Sequence, residues 1–198
     1  MDIHSKEIRR QILHLFYGPI LIILNYFGIF TLQVLFGMII GGAFMSLMVK
    51  RKHLSSVRWC LSHFERDHHM ENFPGRGILF YTIGAFLAIL LFRQDIAYAG
   101  IMMLSIGDAV TNLVGRHFGR IKTKLNPNKY IEGTLCGILV SIPIAYFFVH
   151  NITASIAAAC IAMVLEMPNV KIFNFEIDDN LIIPLSAGVT LSLFLIYG

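Results

Sequence analysis

Seven apolar stretches dominate this chain, at roughly 12–30, 31–49, 77–92, 95–114, 133–149, 152–167 and 181–197. Each is near the length that carries a helix across a bilayer core. Hydrophobic residues make up 56% of the 198 and charged residues only 14%, whereas soluble domains carry about a quarter charged residues. A folded soluble protein must leave a large share of its surface in water, so a water-soluble fold is excluded and lipid is the natural solvent. The expected fold is an all-α integral membrane protein of about seven transmembrane helices in one bundle, with residues 1–198 as a single domain. The charged opening MDIHSKEIRRQ is followed by an apolar run without a small-residue cleavage site, which predicts a retained first span. Between 12 and 49 only Asn25, Thr31 and Gln33 interrupt the apolar run, and Gly28 marks a tight hairpin of two helices.

The charges choose the topology. Lys6, Arg9 and Arg10 precede the first stretch, and Lys50, Arg51, Lys52, Arg58, Arg66 and Arg76 lie between the second and third. Arg116, Arg120, Lys122, Lys124 and Lys129 lie between the fourth and fifth, and Lys171 between the sixth and seventh. Seven spans put all of these on one side and leave Arg93 opposite; six would scatter them. The positive-inside rule then predicts a cytoplasmic N-terminus and an outer C-terminus. Glu65, Asp67, Glu71, Glu132, Glu166, Glu176, Asp178 and Asp179 follow the same asymmetry. The weakly amphipathic residues 51–66 predict an interfacial helix on that face. Cys60, Cys136 and Cys160 have no metal-ligand or disulfide spacing, and His68 and His69 are not spaced as two ligands on one helical face.

Asp108 lies within the fourth stretch, where a carboxylate costs a few kcal/mol unless a cation, a hydrogen bond or water meets it. Asn112, Gly115 and Gly119 follow at helical spacing and share its face. That face can be a ligand site approached closely by backbone, or a small-residue packing seam with a satisfied Asp. Next comes the cationic loop RHFGRIKTKLNPNKYIEGT, in which Asn126 can cap and Pro127 open the helix of the fifth span. A helix N-terminus beside Lys129 suits phosphate. Glu132 and Gly133 fall in the same first turn, where a carboxylate suits the helix dipole or a metal. The alternative is that these are ordinary positive-inside charges. Finally Asp178, Asp179 and Asn180 stand at the mouth of the seventh stretch. One Asp would suffice as a cap; two facing a basic loop look like oxygen ligands for Mg²⁺. Glu166 ends the sixth stretch on the same side and can join them. No Walker A spacing or dinucleotide fingerprint occurs, and no nucleic-acid partner is expected.

The run GDAVTNLVGRHFGRIKTK, followed by KYIEGT and later by DDNLIIPL, resembles the CTP-dependent lipid-alcohol kinases. That family includes dolichol kinase, phytol kinase and the yeast-type CTP-dependent diacylglycerol kinase. The resemblance covers most of residues 100–190, and the opening EIRRQILHLFYG also looks like the family's start. It implies transfer of the γ-phosphate of CTP to the hydroxyl of a polyprenol, dolichol, diacylglycerol or similar membrane lipid, giving CDP. Such chemistry rests on positioning and charge neutralisation. On this reading Arg116, Arg120, Lys122 and Lys129 hold the triphosphate, with Asn112, Gly115, Gly119 and Gly133 beside the nucleotide. Asp108, Glu132, Asp178 and Asp179 hold magnesium, and Asp108, Lys129 and Glu132 carry the catalysis. Arg10, His14, Glu166 and Asn180 can line the site. The middle segment is also similar, more weakly, to the phosphatidate cytidylyltransferases, though DDNLIIP departs from their C-terminal signature. A CDP-lipid-forming enzyme and an ion-coupled transporter with Asp108 as its ion site are therefore the rivals. Gly41, Gly42 and the Gly115–Gly119 pair can pack helices within a chain or between the copies of a homo-oligomer.

Overall fold

The computed structural model describes residues 3–51, 53–65, 67–168, 171–172, 175–176 and 178–197. Helix α1 (Ile3–Tyr26) turns through a hairpin into α2 (Leu32–Lys50). Gly28 takes φ 73° in that turn, a left-handed conformation that favours glycine. Thr31 then opens α2, its hydroxyl accepting from the Val34 amide at 3.4 Å. Two short helices, α3 (Ser55–Ser62) and α4 (Asp67–Asn72), lead to α5 (Arg76–Leu91). The expected interfacial helix over 51–66 is thus only the eight residues of α3 among the described residues.

The next element is one continuous helix of 25 residues, Gln94–Phe118. It consists of α6 (Gln94–Met102), a π-helical turn (Met103–Asp108) and α7 (Ala109–Phe118). A loop then leads to α8 (Ile131–Val149), α9 (Ile152–Leu165), the two-residue antiparallel strands β1 (Lys171–Ile172) and β2 (Phe175–Glu176), and α10 (Asp179–Tyr197). Each of the seven apolar stretches lies on a helix. Among the described residues four helices, Leu32–Lys50, Gln94–Phe118, Ile131–Val149 and Asp179–Ile196, are long and apolar enough to cross a membrane; α5 and α9 are apolar but shorter. The chain is an integral membrane helical bundle.

The first helix begins at Ile3, well before the apolar stretch near residue 12. Its polar turns are held by Glu7, which pairs with Arg10, Gln11 and Arg116 while Glu7, Gln11 and His14 lie buried against the bundle. Asn126 and Pro127 do not start α8, whose first residue is Ile131 after Tyr130 as N-cap. They shape a hairpin-like loop instead: Ile121 and Lys129 carbonyls accept from the Ile131 and Thr123 amides at 3.0 Å each. Asn126 Oδ1 accepts from the Asn128 amide at 3.0 Å, closing the turn.

The long helix is the central post. It is 78% buried over its most apolar stretch, against 17% for α2. Around it α5, α10, α9 and α8 pack in unbroken succession, and α1 lies along the π-turn and α7. Helix α2 packs outside α5. The α7–α8 crossing is made by small residues, as is usual where helices associate in lipid. A Cβ added at Gly133 would stand 2.3 Å from the Thr111 carbonyl oxygen and 2.9 Å from Gly115 Cα. Gly133→Ala is therefore expected to destabilise the bundle by about 1–3 kcal/mol through overpacking. Gly41→Ala, where a Cβ meets nothing within 4 Å, should leave the melting temperature in detergent unchanged, and a thermal-shift comparison of the two decides.

Candidate functional site

Three carboxylates meet near one end of the bundle, and each comes from a different segment. Asp108 closes the π-turn and is 4% exposed, Glu166 caps the end of α9 and is 1% exposed, and Asp179 opens α10. One oxygen from each lies within 4.8 Å of the other two. Lys129, at the return of the 119–130 loop, reaches into this group. Its ammonium donates to Glu166 Oε1 and to Asp179 Oδ2, the latter at 3.1 Å. Burial alone would lower the Lys129 pKa, but Glu166, Asp179 and Asp108 outweigh it and hold the amine firmly protonated above its ordinary value.

Asp108 is oriented by its own helix. Asn112 Nδ2 donates to its Oδ1 at 2.7 Å and to its backbone carbonyl at 3.0 Å. The π-turn makes room for this arrangement, as such turns do at functional sites. His14 of α1 brings Nδ1 to 4.0 Å from Asp108 Oδ2, and that nitrogen is buried without a hydrogen-bond partner. Glu166 Oε2 is likewise buried and unpartnered. A buried carboxylate oxygen left uncommitted beside two others is the donor set that a hard divalent cation prefers. Asp108, Glu166 and Asp179 therefore fit a metal ion of the Mg²⁺ kind.

The structure does not bring every expected ligand here. Glu132 points away to the solvent side of α8, where its carboxylate accepts from the Arg120 and Ile121 amides at 2.9 and 3.0 Å. It braces the loop whose far end carries Lys129. Asp178 pairs with Arg76 Nε at 3.2 Å and accepts from Asn180 Nδ2 at 2.6 Å. Asn180 Nδ2 also donates to the Gly77 carbonyl at 3.3 Å. Together these three fasten the start of α10 to the start of α5. Burial and the adjacent Asp179 raise the Asp178 pKa, against the pull of Arg76. Gly115 and Gly133 form the α7–α8 contact, and Gly119 ends α7 against Tyr130. Arg120, Lys122 and Lys124 are exposed on the loop, with Lys122 Nζ 5.9 Å from the centre of the Tyr130 ring.

Residues 7, 10, 11 and 14 form one polar stripe along α1, at the i, i+3, i+4, i+7 spacing of a single helical face. Glu7 accepts from Arg10 at 2.5 Å and from Gln11 at 3.1 Å, and pairs with Arg116 of α7 at 3.4 Å. Glu7 and Gln11 are functional-site neighbours that motif reading passes over; their helical spacing with Arg10 and His14 was the available signal. Arg10 Nε and Gln11 Oε1 are buried without partners.

A helical membrane bundle with a buried lysine and carboxylate cluster beside a cationic loop is the class of protein that these features define. Among known proteins the chain is 24% identical over 131 residues to CTP-dependent diacylglycerol kinase 1 of Schizosaccharomyces pombe, covering 60% of each chain. It is 26% identical over 136 residues to the chloroplastic phytol kinase 1 of Arabidopsis thaliana, covering 62% of this chain and 44% of that one. It is 30% identical over 133 residues to the chloroplastic farnesol kinase of the same plant, covering 58% and 41%. The matched region thus spans between two fifths and three fifths of these relatives. No family model matches the chain, and no solved structure matches it significantly. The resemblance to CTP-dependent lipid kinases carried by the motifs is borne out by these relatives.

Truncating Glu7 removes the acceptor of two arginines and a glutamine. Glu7→Ala is expected to destabilise the protein by roughly 2–3 kcal/mol, since cations stranded in a partly buried place lose their partner. Glu71→Ala, on the exposed side of α4, should change little, and the two melting temperatures measured side by side test the assignment.

Proposed function

We propose that this protein is a CTP-dependent lipid-alcohol kinase, transferring the γ-phosphate of CTP to the hydroxyl of a membrane lipid alcohol and releasing CDP. The observation that carries the reading is the group of Asp108, Glu166 and Asp179 around Lys129, with an uncommitted buried oxygen on Glu166. The names of the similar kinases supply the donor and the acceptor class. The acceptor in this chain is a polyprenol, dolichol, phytol-like alcohol or diacylglycerol.

Asp108, Glu166 and Asp179 would hold Mg²⁺, which when bound would supply charge neutralisation for the triphosphate. The remaining work falls to the protein. Lys129 keeps a fixed positive charge at the site and meets phosphate oxygens. Arg116, with Arg120, Lys122 and Lys124 farther out on the loop, draws the polyanionic donor toward it. The lipid oxygen attacks the γ-phosphorus as the bond from that phosphorus to the β-phosphate oxygen breaks. The hydroxyl proton passes to the carboxylate of Asp108, which Asn112 holds in place. Glu132 acts on this chemistry by bracing the loop through two backbone amides.

The seven helices α1, α2, α5, α6–α7, α8, α9 and α10 each cross the membrane, and the chain works as one domain. Its basic face, with the N-terminus, lies in the cytoplasm and the C-terminus outside, in agreement with the charge asymmetry. The membrane is the plasma membrane if the source is prokaryotic and the endoplasmic reticulum if it is eukaryotic.

The deciding experiment incubates the purified protein in detergent with γ-labelled CTP, Mg²⁺ and a panel of isoprenoid alcohols and diacylglycerol. Label should appear in a lipid phosphate and should not appear with labelled ATP. Asp108→Asn should lower the rate by about a thousandfold or more, the range for loss of a general base together with a charge-stabilising contact. Arg93→Ala, at the far end of the bundle, should keep full activity. Pyrophosphate release with a CDP-lipid product would instead establish cytidylyl transfer, and full activity in Asp108→Asn would overturn the site assignment.

A further inference from the structure

Of the helices around the central post, α1 has the weakest seams with its neighbours. From α5 through α10 and α9 to α8, each helix packs along the next, and α1 packs on the post at the π-turn and α7. Among the described residues α1 does not pack along α2, its own hairpin partner, nor closely along α5 or α8. The gap between α1 and α5 is bridged by side chains. Tyr17 and Thr82 share a hydrogen bond of 2.7 Å between their hydroxyls. Tyr81 meets Ser105 of the π-turn at 2.5 Å, and the rings of His14 and Tyr17 stand edge-on to Tyr81 at 5.2 and 5.0 Å. Behind this clasp lie the unpartnered Nδ1 of His14, which is 8% exposed, and Asp108.

We propose that the cleft between α1 and the α2–α5 pair seats the hydrocarbon chain of the lipid substrate, which slides in sideways from the bilayer and brings its hydroxyl between His14 and Asp108. The proposal rests on the kinase reading of the site and deepens it by naming the route and the seat. Two observations carry it. The first is the gap itself: a long-chain alcohol cannot leave the bilayer without losing about 0.8 kcal/mol for each methylene withdrawn, so its way to a buried carboxylate must open laterally. Of the two intervals beside α1 without close helix-on-helix packing among the described residues, toward α5 and toward α8, the one toward α5 sets the Tyr81 ring against His14 and so leads to Asp108. The second is the fit at its inner end. The 4.0 Å between His14 Nδ1 and Asp108 Oδ2 is spanned by one hydroxyl oxygen at ordinary hydrogen-bond distance from both. That hydroxyl gives the orphaned His14 nitrogen a partner.

The flank of α1 that carries Tyr17 also carries Leu13, Ile20 and Leu24, at spacings of four, three and four residues. Leu13 and Ile20 are 37% and 50% exposed, a ready wall for an alkyl or isoprenoid chain. The hydroxyl pair of Tyr17 and Thr82 closes the cleft at the level of His14 and can part to admit a polar head.

The test uses the whole protein in lipid nanodiscs with γ-labelled CTP, a long-chain isoprenoid alcohol and a short water-soluble alcohol. Leu13→Trp and Ile20→Trp fill the cleft from a surface position and should each raise KM for the long-chain alcohol by about tenfold, near 1.4 kcal/mol of lost binding. KM for CTP and turnover of the short alcohol should stay as in the parent protein. Ile12→Trp, on the opposite flank of α1 and 46% exposed, should change none of these. Equal behaviour of the Ile20 and Ile12 variants would overturn the cleft. A photoreactive long-chain alcohol gives a readout that needs no turnover: it should label α1 or α2 residues, more weakly in Ile20→Trp. Labelling confined to other helices overturns the cleft even where the protein is active. Labelling of α1 or α2 in a protein that transfers no phosphate upholds the cleft and overturns the kinase reading.

Discussion

The structure depends on a charge problem solved at the end of an apolar bundle. Lys129 and the carboxylates of Asp108 and Glu166 are brought out of water together, with the partly exposed Asp179 at their edge, and none of the buried three could be buried alone. They come from the middle of the central post, the end of α9, the start of α10 and the loop before α8. Placing them together sets the height of α9 and α10 against the post, and it dictates that the loop fold back on itself. The hairpin pairing of Ile121 with Ile131 and of Thr123 with Lys129 is the backbone device that returns the lysine. Glu132 secures the other side of that loop through the Arg120 and Ile121 amides. A buried ion cluster is weak evidence for stability, because an apolar replacement often does as well. Its presence here is better explained by what the charges do.

Depth follows from the same arrangement. Asp108 lies ten residues before the end of the post at Phe118, about 15 Å at the rise of an α-helix. Yet its partners Glu166 and Asp179 sit at helix ends. The last turns of the post and the first turns of α1 therefore run on beyond the level of the carboxylates, held to each other by the Glu7–Arg116 pair. Glu7 of the polar stripe on α1 is paired there in a way that lipid could not provide. The site thus sits where apolar helices give way to charged ones, which suits a reaction between a water-borne polyanion and a lipid-bound hydroxyl.

Hydropathy made the helices legible, because the need to shield every backbone polar group in lipid leaves little alternative. Asp108, Lys129 and Asp179 were legible for a related reason: each is a charge in or beside an apolar stretch. Other features required the fold. Asp178 is next in sequence to Asp179 and Glu132 lies three residues after Lys129, but helix phase and local pairing send their side chains elsewhere. Gly115 and Gly133 read equally as ligand-facing or packing glycines until the α7–α8 crossing shows them in contact. Glu7 and Gln11 were hidden by their setting, since a charged N-terminal segment reads as a topology signal before it reads as a buried face. The true start of α8 was hidden by Asn126 and Pro127, whose turn chemistry serves a loop as well as a helix cap.

One helix joins the two approaches to the carboxylates. The stripe of Glu7, Arg10, Gln11 and His14 along α1 faces the post and α7, on the side where the cationic loop lies. The neighbouring flank, with Tyr17, is fastened to α5 by the Tyr17–Thr82 hydroxyl pair and the edge-on contact of the Tyr17 and Tyr81 rings. A helix with firm ionic contacts at one end and a light clasp further along can pivot at the clasp without breaking the contacts. Opening the seam for a lipid then leaves Glu7 and Arg116 together, and with them the placement of the loop that carries Lys129. A tightly packed α1–α5 interface would have forbidden this. The side-chain bridge that substitutes for helix-on-helix packing is therefore consistent with a fold that keeps its anion-facing side fixed while its lipid-facing side yields.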